Sequence, residues 1–407
     1  MSELARLYRT GQLDQAHYGA YNASWSAARS ADKQLHGVAA FELGAVIANL
    51  RTMAAGGYLT ATRLPALFLT LDRNRQWWTT SAVPATWQRV EFQGSPLVWE
   101  YYPGQGIELQ VLGTFGKADG LYTGGPRDYA QLRELLTEMI PLAAHRAGGL
   151  TWEYYFQFDG GSPPWVSAMS QGTALEALSR AAKVFGPDPY LQTAAQALPL
   201  FTVAPPRGVR VPTPVGARYL QYSFTPGTDI INAFLQSLIG LYDYAATSGS
   251  AEAQQLFDAG NAQAEAELPQ FDTGAWSLYQ PGSEDSLDYH VLVTGFLDEL
   301  CTRTRAPVYC TTASHFHAYL KTPPTLRLLT TRATPKVPSS LKFDLSKFSH
   351  VGVVVIRGTS TVFQTSASFP YGVDDFALPA LRSGSYTIHL AATDLAGNFN
   401  RIVGTLK

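Results

Sequence analysis

Apolar residues recur at spacings of three and four through most of the first 320 residues, and at a spacing of two beyond them. Ile230, Phe234, Leu238 and Leu241 share one helical face in the clearest stretch. The same period predicts helices over 30–54, 127–147, 169–186, 228–247, 250–268 and 286–303. Two aromatic runs between them, Leu97-Val98-Trp99-Glu100-Tyr101-Tyr102 and Leu150-Thr151-Trp152-Glu153-Tyr154-Tyr155-Phe156, predict short strands. Long helices in pairs, separated by loops, predict a mainly α fold: an (α/α) toroid of helical hairpins with short strands, its inner helices opening onto a cleft.

The period changes after Thr322-Pro323-Pro324. Runs at 351–356, 361–365 and 386–392 alternate as strands, and Arg382-Ser383-Gly384-Ser385 and Asp394-Leu395-Ala396-Gly397-Asn398 supply turns between them. The expected organisation is a helical domain over 1–321 and an all-β immunoglobulin-like or fibronectin-type sandwich over 322–407. Such modules accompany exported bacterial glycan enzymes, so an extracellular or periplasmic location is expected, with the cytoplasm as the alternative.

Composition narrows the function classes. Hydrophobic residues make up 46% of the 407 and charged residues 15%, enough for a large core and too little charge for disorder. A formal net charge of -2 offers no general field for nucleic acid, and speaks against a heavily sulfated polymer. Aromatics reach 12%, which suits a core and equally a sugar-stacking cleft. Cys301 and Cys310 fit no zinc spacing; a disulfide across a helix end and two buried thiols both remain open. With Glu3, Arg6, Arg9 and Asp14 near its start, no signal peptide is expected in this numbering, and no membrane span is expected.

Three ordered stretches carry the chemistry. The first is Pro164-Trp165-Val166-Ser167-Ala168-Met169-Ser170-Gln171-Gly172, running on to Arg180-Ala181. The second is Tyr222-Ser223-Phe224-Thr225-Pro226 followed by residues 231–243. The third is Leu268-Pro269-Gln270-Phe271-Asp272-Thr273-Gly274, then Tyr279 and Asp288-Tyr289-His290. In this order and spacing they resemble the C-terminal catalytic domain of the D-glucuronyl C5-epimerase family, and Tyr102-Pro103-Gly104-Gln105-Gly106-Ile107-Glu108-Leu109-Gln110 resembles it more loosely. The resemblance covers roughly residues 100–320.

The resemblance implies an enzyme that removes the C5 proton of a D-glucuronyl unit and returns one to the opposite face, giving L-iduronyl. Tyr222, Tyr279 and Tyr289 fall on the family's acid/base tyrosines. An ordinary tyrosine titrates near a pKa of about 10, so such a role requires a coupled or shifted hydroxyl. Trp165, Gln171, Arg180, Gln221, Asp288 and His290 are the expected substrate-binding residues. The resemblance further implies a uronic-acid-containing glycan as partner and a homodimer; no cofactor or metal is expected.

Two positions depart from the family. Gln221 replaces the Glu that precedes the first tyrosine, and Gln cannot accept a proton. The loop 280–287 after Tyr279 is short and lacks the family Arg. Arg73, Arg75, Lys117 and Arg180 are the cations offered in its place. Arg73-Asn74-Arg75-Gln76-Trp77-Trp78 reads either as cations beside sugar-facing rings or as a strand with solvated arginines and core tryptophans.

The remaining signals are less specific. Ser170 is expected to cap a helix whose start, relieved by Gly172, lets a carboxylate or another chain approach. His290, His315 and His317 lack a third spaced ligand and read as packed or surface histidines. Glu153, Asp159, Glu284, Asp285 and Asp288 form a pool from which a hydrolase could draw two carboxylates. Gly104-Gln105-Gly106 lacks the rest of a nucleotide fingerprint. A polysaccharide lyase or glycoside hydrolase on the same scaffold is therefore the second reading, and a non-catalytic glycan binder the third.

Overall fold

The helical periods close into elements whose ends are set by local chemistry. The computed structural model describes residues 2–407. Helices α1 (Ser2–Arg9), α2 (Gln15–Gln34), α3 (Gly37–Ala55) and α4 (Leu64–Thr80) open the chain. Asp14 caps α2 by accepting the His17 N–H at 2.8 Å. The helix expected over 30–54 is two helices. Gly37 adopts φ +60, a left-handed turn that reverses the chain between α2 and α3. Arg73 and Arg75 lie on α4, not on a strand.

Strands β1 (Arg89–Val90), β2 (Trp99–Tyr102) and β3 (Gly106–Leu109) form an antiparallel sheet. Helices α5 (Val111–Thr123) and α6 (Tyr129–Met139) follow. The latter stops before Pro141, so the helix expected to reach 147 gives way to the ribbon of β4 (Ala144–Arg146) and β5 (Gly149–Thr151). Beyond Thr151 the run expected as a strand is irregular, held by a bridge between Tyr154 and Trp165. Next come α7 (Ala168–Phe185), α8 (Tyr190–Ala197), the ribbon of β6 (Arg210–Pro212) and β7 (Ala217–Tyr219), α9 (Ile231–Ser248) and α10 (Ala251–Glu267). The cap of α7 is Ser167, whose hydroxyl accepts from Ser170 N–H; Ser170, expected as the cap, is the third residue of the helix. Gly172 serves packing: a Cβ there would lie 2.6 Å from the Ser237 Cα, and one on Gly240 would strike the Gly172 carbonyl. The absent side chains let α7 and α9 cross backbone to backbone.

Contacts divide the chain into two units. One contains residues up to Thr228 and Gln236–Gln263; the other contains Asp229–Leu235 and Ala264–Lys407. In the first unit α3 packs with α4, α5 with α6 and α7, and α7 with α8. By length and composition α3 could cross a membrane. Its Glu42, however, is buried and accepts hydrogen bonds from the Tyr101 hydroxyl and the Gly104 and Gly106 N–H groups, so one face of α3 is packed inside the unit.

The second unit holds the ribbon of β8 (Leu278–Gln280) and β9 (Ser283–Glu284), then the hairpin of α11 (Leu287–Thr304) and α12 (Pro307–Tyr319), closed by a Cys301–Cys310 disulfide. That settles the alternative left open above. Seven antiparallel strands follow: β10 (Leu326–Leu328), β11 (Ser339–Leu345), β12 (Ser349–Arg357), β13 (Ser360–Phe369), β14 (Gly372–Leu378), β15 (Tyr386–Asp394) and β16 (Phe399–Leu406). They form sheets of order β10-β11-β14 and β13-β12-β15-β16. Alternate residues of both sheets, among them Leu341, Phe343, Val351, Val353, Phe376, Ile388 and Leu390, share one core, so the segment is a sandwich. The fold class is thus mainly α, of the (α/α) kind, with an all-β C-terminal part.

Candidate functional site

Within the first unit the sequence brings a dense set of rings together. Asp159 and Gly160, with φ of +45 and +80, make a tight turn between Phe158 and Gly161, which exchange both backbone hydrogen bonds. This turn lays Phe158 against Tyr222, with centroids 5.6 Å apart. Tyr222 lies in the loop between β7 and α9, edge-on to Trp165 at 5.7 Å and stacked on Phe224 at 5.3 Å. Trp165 is buried and stacks flat on Tyr154 at 4.1 Å. The Tyr154 hydroxyl is 2.7 Å from the Ser170 hydroxyl and accepts from Leu112 N–H. Burial raises Tyr102 and Tyr154 far above the ordinary tyrosine range, which keeps both as neutral hydroxyls.

The other expected residues of this unit have defined partners. The Gln171 amide is buried and exchanges hydrogen bonds with the Trp152 backbone. Arg180 pairs with Asp119 at 3.1 Å and Glu176 at 2.5 Å. Gln221 is half-buried and accepts from the Ser167 hydroxyl at 3.4 Å. Arg73 stacks over Phe92 at 5.0 Å, and Arg75 lies 3.6 Å from Asp72; both line a shallow depression on α4. Lys117 donates to the Pro96 carbonyl. Glu153 is held in a buried triad by Arg63 and Arg146, at 2.6 and 2.8 Å.

In the second unit Tyr279 lies on β8 and Tyr289 in the first turn of α11. Ser286 caps that helix by accepting Tyr289 N–H. The two tyrosine rings are 5.2 Å apart, and Tyr289 is 44% exposed. Asp288 is exposed beside it. His290 points into the core, stacked on Trp276 at 3.8 Å. Its Nε2 faces the Phe316 carbonyl, an acceptor only, so Nε2 carries the hydrogen and Nδ1 a lone pair. His315 and His317 each pair with a separate aspartate, Asp272 and Asp298.

The Ser277 hydroxyl sits 2.5 Å from Asp285 and 2.7 Å from His290 Nδ1, and one hydrogen cannot serve both. When Asp285 is ionised the hydroxyl donates to it; when Asp285 is protonated the hydroxyl is released to His290. Burial pushes Asp285 up to about 6 and His290 down to about 4. Between those values the folded state keeps an Asp285 proton that the unfolded chain lacks, and lacks a His290 proton that the unfolded chain carries. The two contributions to the pH dependence of stability oppose each other. Asp285→Asn leaves only the histidine, whose stabilisation is present above pH 6.5 and lost as the pH falls toward 4. Denaturant titrations should show the variant losing about 1.4 kcal/mol per pH unit relative to wild type in that window. Parallel curves for the two proteins would show that Asp285 does not hold its proton above the unfolded-state value.

Some candidate residues escape a reading of the sequence. Trp87 is 55% exposed with φ +62, an uncommon and strained state for so large a side chain, and sits edge-on to Tyr102 at 5.0 Å. Glu100 and Glu108 oppose each other across β2 and β3, and burial raises both. No spacing in the chain marks any of the three, because a distant turn or strand register sets each environment.

Residues 148–318 match the family model described as D-glucuronyl C5-epimerase C-terminus. The D-glucuronyl C5-epimerase of Caenorhabditis elegans is 34% identical over 178 residues, which is 39% of this chain and 29% of that protein. An uncharacterized protein of Methanocaldococcus jannaschii is 26% identical over 137 residues, 32% of this chain and 44% of that one. The chain thus spans less than half the length of these curated relatives. Among solved structures, the cellobiose 2-epimerase of Spirochaeta thermophila aligns with a TM-score of 0.41 and 13% identity over 68% of this chain and 72% of that one. A sugar epimerase from a ruminal bacterium gives 0.35 and 14% over 52% and 57%. Every expected site residue except Arg73, Arg75 and Lys117 falls inside the matched stretch, and through residues 148–318 the chain is similar to the C-terminal part of the D-glucuronyl C5-epimerases.

Proposed function

We propose that the protein is a carbohydrate epimerase that inverts C5 of a D-glucuronyl unit in a glycan, with Tyr222, Tyr279 and Tyr289 exchanging the protons. The proton beside a ring carboxylate is weakly acidic. Its removal requires a base on one face, a donor on the other, and hydrogen bonding to the carboxylate as charge develops. The observation that carries this reading is the Tyr279–Tyr289 pair, two hydroxyl-bearing rings 5.2 Å apart on a strand and a capped helix start inside the family stretch. Within the first unit, the ring cluster around Tyr222 offers flat apolar rings of the kind suited to a sugar face. Much of the carboxylate pool for glycoside hydrolysis has other partners. Glu153 is held by two arginines, Glu284 by two backbone N–H groups, and Asp285 by Ser277. The Cys301–Cys310 disulfide supports the reading of an extracellular or periplasmic protein, since such bonds persist in oxidising compartments.

Gln221, where the family has Glu, favours a lyase as the second reading, because a lyase expels the glycosidic oxygen instead of reprotonating C5. Incubation with desulfated uronate glycans in deuterated water separates the two. An epimerase places deuterium at C5 and leaves the chain length unchanged; a lyase generates unsaturated ends absorbing in the ultraviolet. Gln221→Glu is expected to raise C5 exchange on the order of ten-fold by restoring a proton acceptor. Ultraviolet-absorbing ends without deuterium at C5 would replace the epimerase reading.

A further inference from the structure

The ribbon that carries Tyr279 is too small to hold itself. It pairs Leu278–Gln280 with Ser283–Glu284 across Pro281-Gly282, and its register slips between Leu278 and Gln280. An isolated two-stranded ribbon of this size is marginal in water. One side is tied locally: Trp276 Nε1 donates to the Asp285 carbonyl and Asp285 N–H to the Ser277 carbonyl. The other side is tied to the C-terminal sandwich. Glu284 Oε1 accepts Phe348 N–H at 2.9 Å and Oε2 accepts Tyr371 N–H at 2.9 Å. Phe348 lies in the β11–β12 turn and Tyr371 in the β13–β14 turn, so one carboxylate gathers two turns of the sandwich. Hydrogen bonds to an ionised carboxylate are the strong ones.

The turn that supplies Phe348 is itself fixed. Lys347 is 2% exposed; its ammonium lies 2.6 Å from Asp394 and donates to the Tyr319 and Thr322 carbonyls at the end of α12. All three of its N–H groups therefore have acceptors. Asn398 and Asn400 donate to the Leu320 and Pro324 carbonyls of the connecting segment. An appended sugar-binding module would be joined through a mobile linker; this one is anchored through buried charge and backbone hydrogen bonds.

We propose that the sandwich is a brace for the Tyr279 ribbon, and that Glu284 is the positioning residue through which it acts. This deepens the epimerase reading and rests on Tyr279 exchanging a proton there. Misplacing a reacting group by about an ångström costs up to on the order of a hundred-fold in rate. The test is Glu284→Gln in the full chain. Its amide NH2 has the shape of the lost oxygen but cannot accept an N–H. Three quantities are read: kcat and KM for C5 exchange, the melting temperature, and amide exchange of peptides covering 276–286. The expected result is a kcat lower by on the order of ten-fold or more, KM within about two-fold, and faster amide exchange confined to the ribbon. Val353→Ala, a cavity in the sandwich core away from Glu284, should lower the melting temperature yet keep kcat below the transition. A folded Glu284→Gln protein with kcat near wild type, or with unchanged exchange in the ribbon, overturns the brace. If Glu284→Gln does not fold, Tyr371→Pro removes one donor from the sandwich side and must give the same kcat loss. If the wild-type protein exchanges no C5 hydrogen, the epimerase reading fails while the amide-exchange comparison still decides the brace.

Discussion

Tyr279→Phe and Tyr289→Phe are each expected to lower C5 exchange on the order of a hundred-fold or more while leaving the protein folded. Only a hydroxyl is removed in each case, and the rings, 5.2 Å apart, keep their packing. Tyr222→Phe should likewise lower C5 exchange, with the ring kept against Phe158, Trp165 and Phe224. If the hydroxyls act in one proton-transfer step, the double variant Tyr279→Phe/Tyr289→Phe loses little beyond the worse single variant. Deuterium incorporation measured by mass spectrometry reads all four proteins. A Phe variant that keeps more than about half the wild-type rate removes that tyrosine from the mechanism.

The largest expected effect on stability belongs to Glu153→Ala. Glu153 is buried and neutralises Arg63 through two contacts at 2.6 and 2.9 Å and Arg146 through one at 2.8 Å. Both arginine side chains are 11% exposed, so removing the carboxylate leaves two buried cations with no counter-charge between them. Breaking a buried pair by removing one partner costs about 3–5 kcal/mol, a large share of an ordinary domain's stability. Urea denaturation at neutral pH measures it. Asp344→Ala breaks the exposed Arg327–Asp344 pair and serves as the reference, with an expected cost below about 1 kcal/mol. Equal losses in the two variants would mean the triad is solvated and contributes little.

Much of this was legible in the chain because it is local. The period-two alternation of Val351, Val353 and Val355 fixes which strand face is buried. The run from Phe234 to Leu241 fixes a buried helix, and Ser286 caps the helix that Tyr289 opens. The helix boundaries that failed did so for local reasons that periodicity misses. A left-handed Gly37 splits one predicted helix, and Pro141 shortens another.

The sequence by itself determined most of the long helices, the strands of the C-terminal part and the stretch similar to the epimerases, since these depend on residue spacing and order. Tertiary structure alone decided which polar groups remain available for chemistry. Arg180 is engaged by Asp119 and Glu176, Gln171 by Trp152, and His290 by Ser277 and Phe316, while Glu284 reaches partners 64 and 87 residues away. A side chain's intrinsic chemistry is written in its own residue. Whether that chemistry is satisfied, buried or exposed depends on groups the fold brings from elsewhere, and a buried polar group must find such a partner before it can serve a substrate.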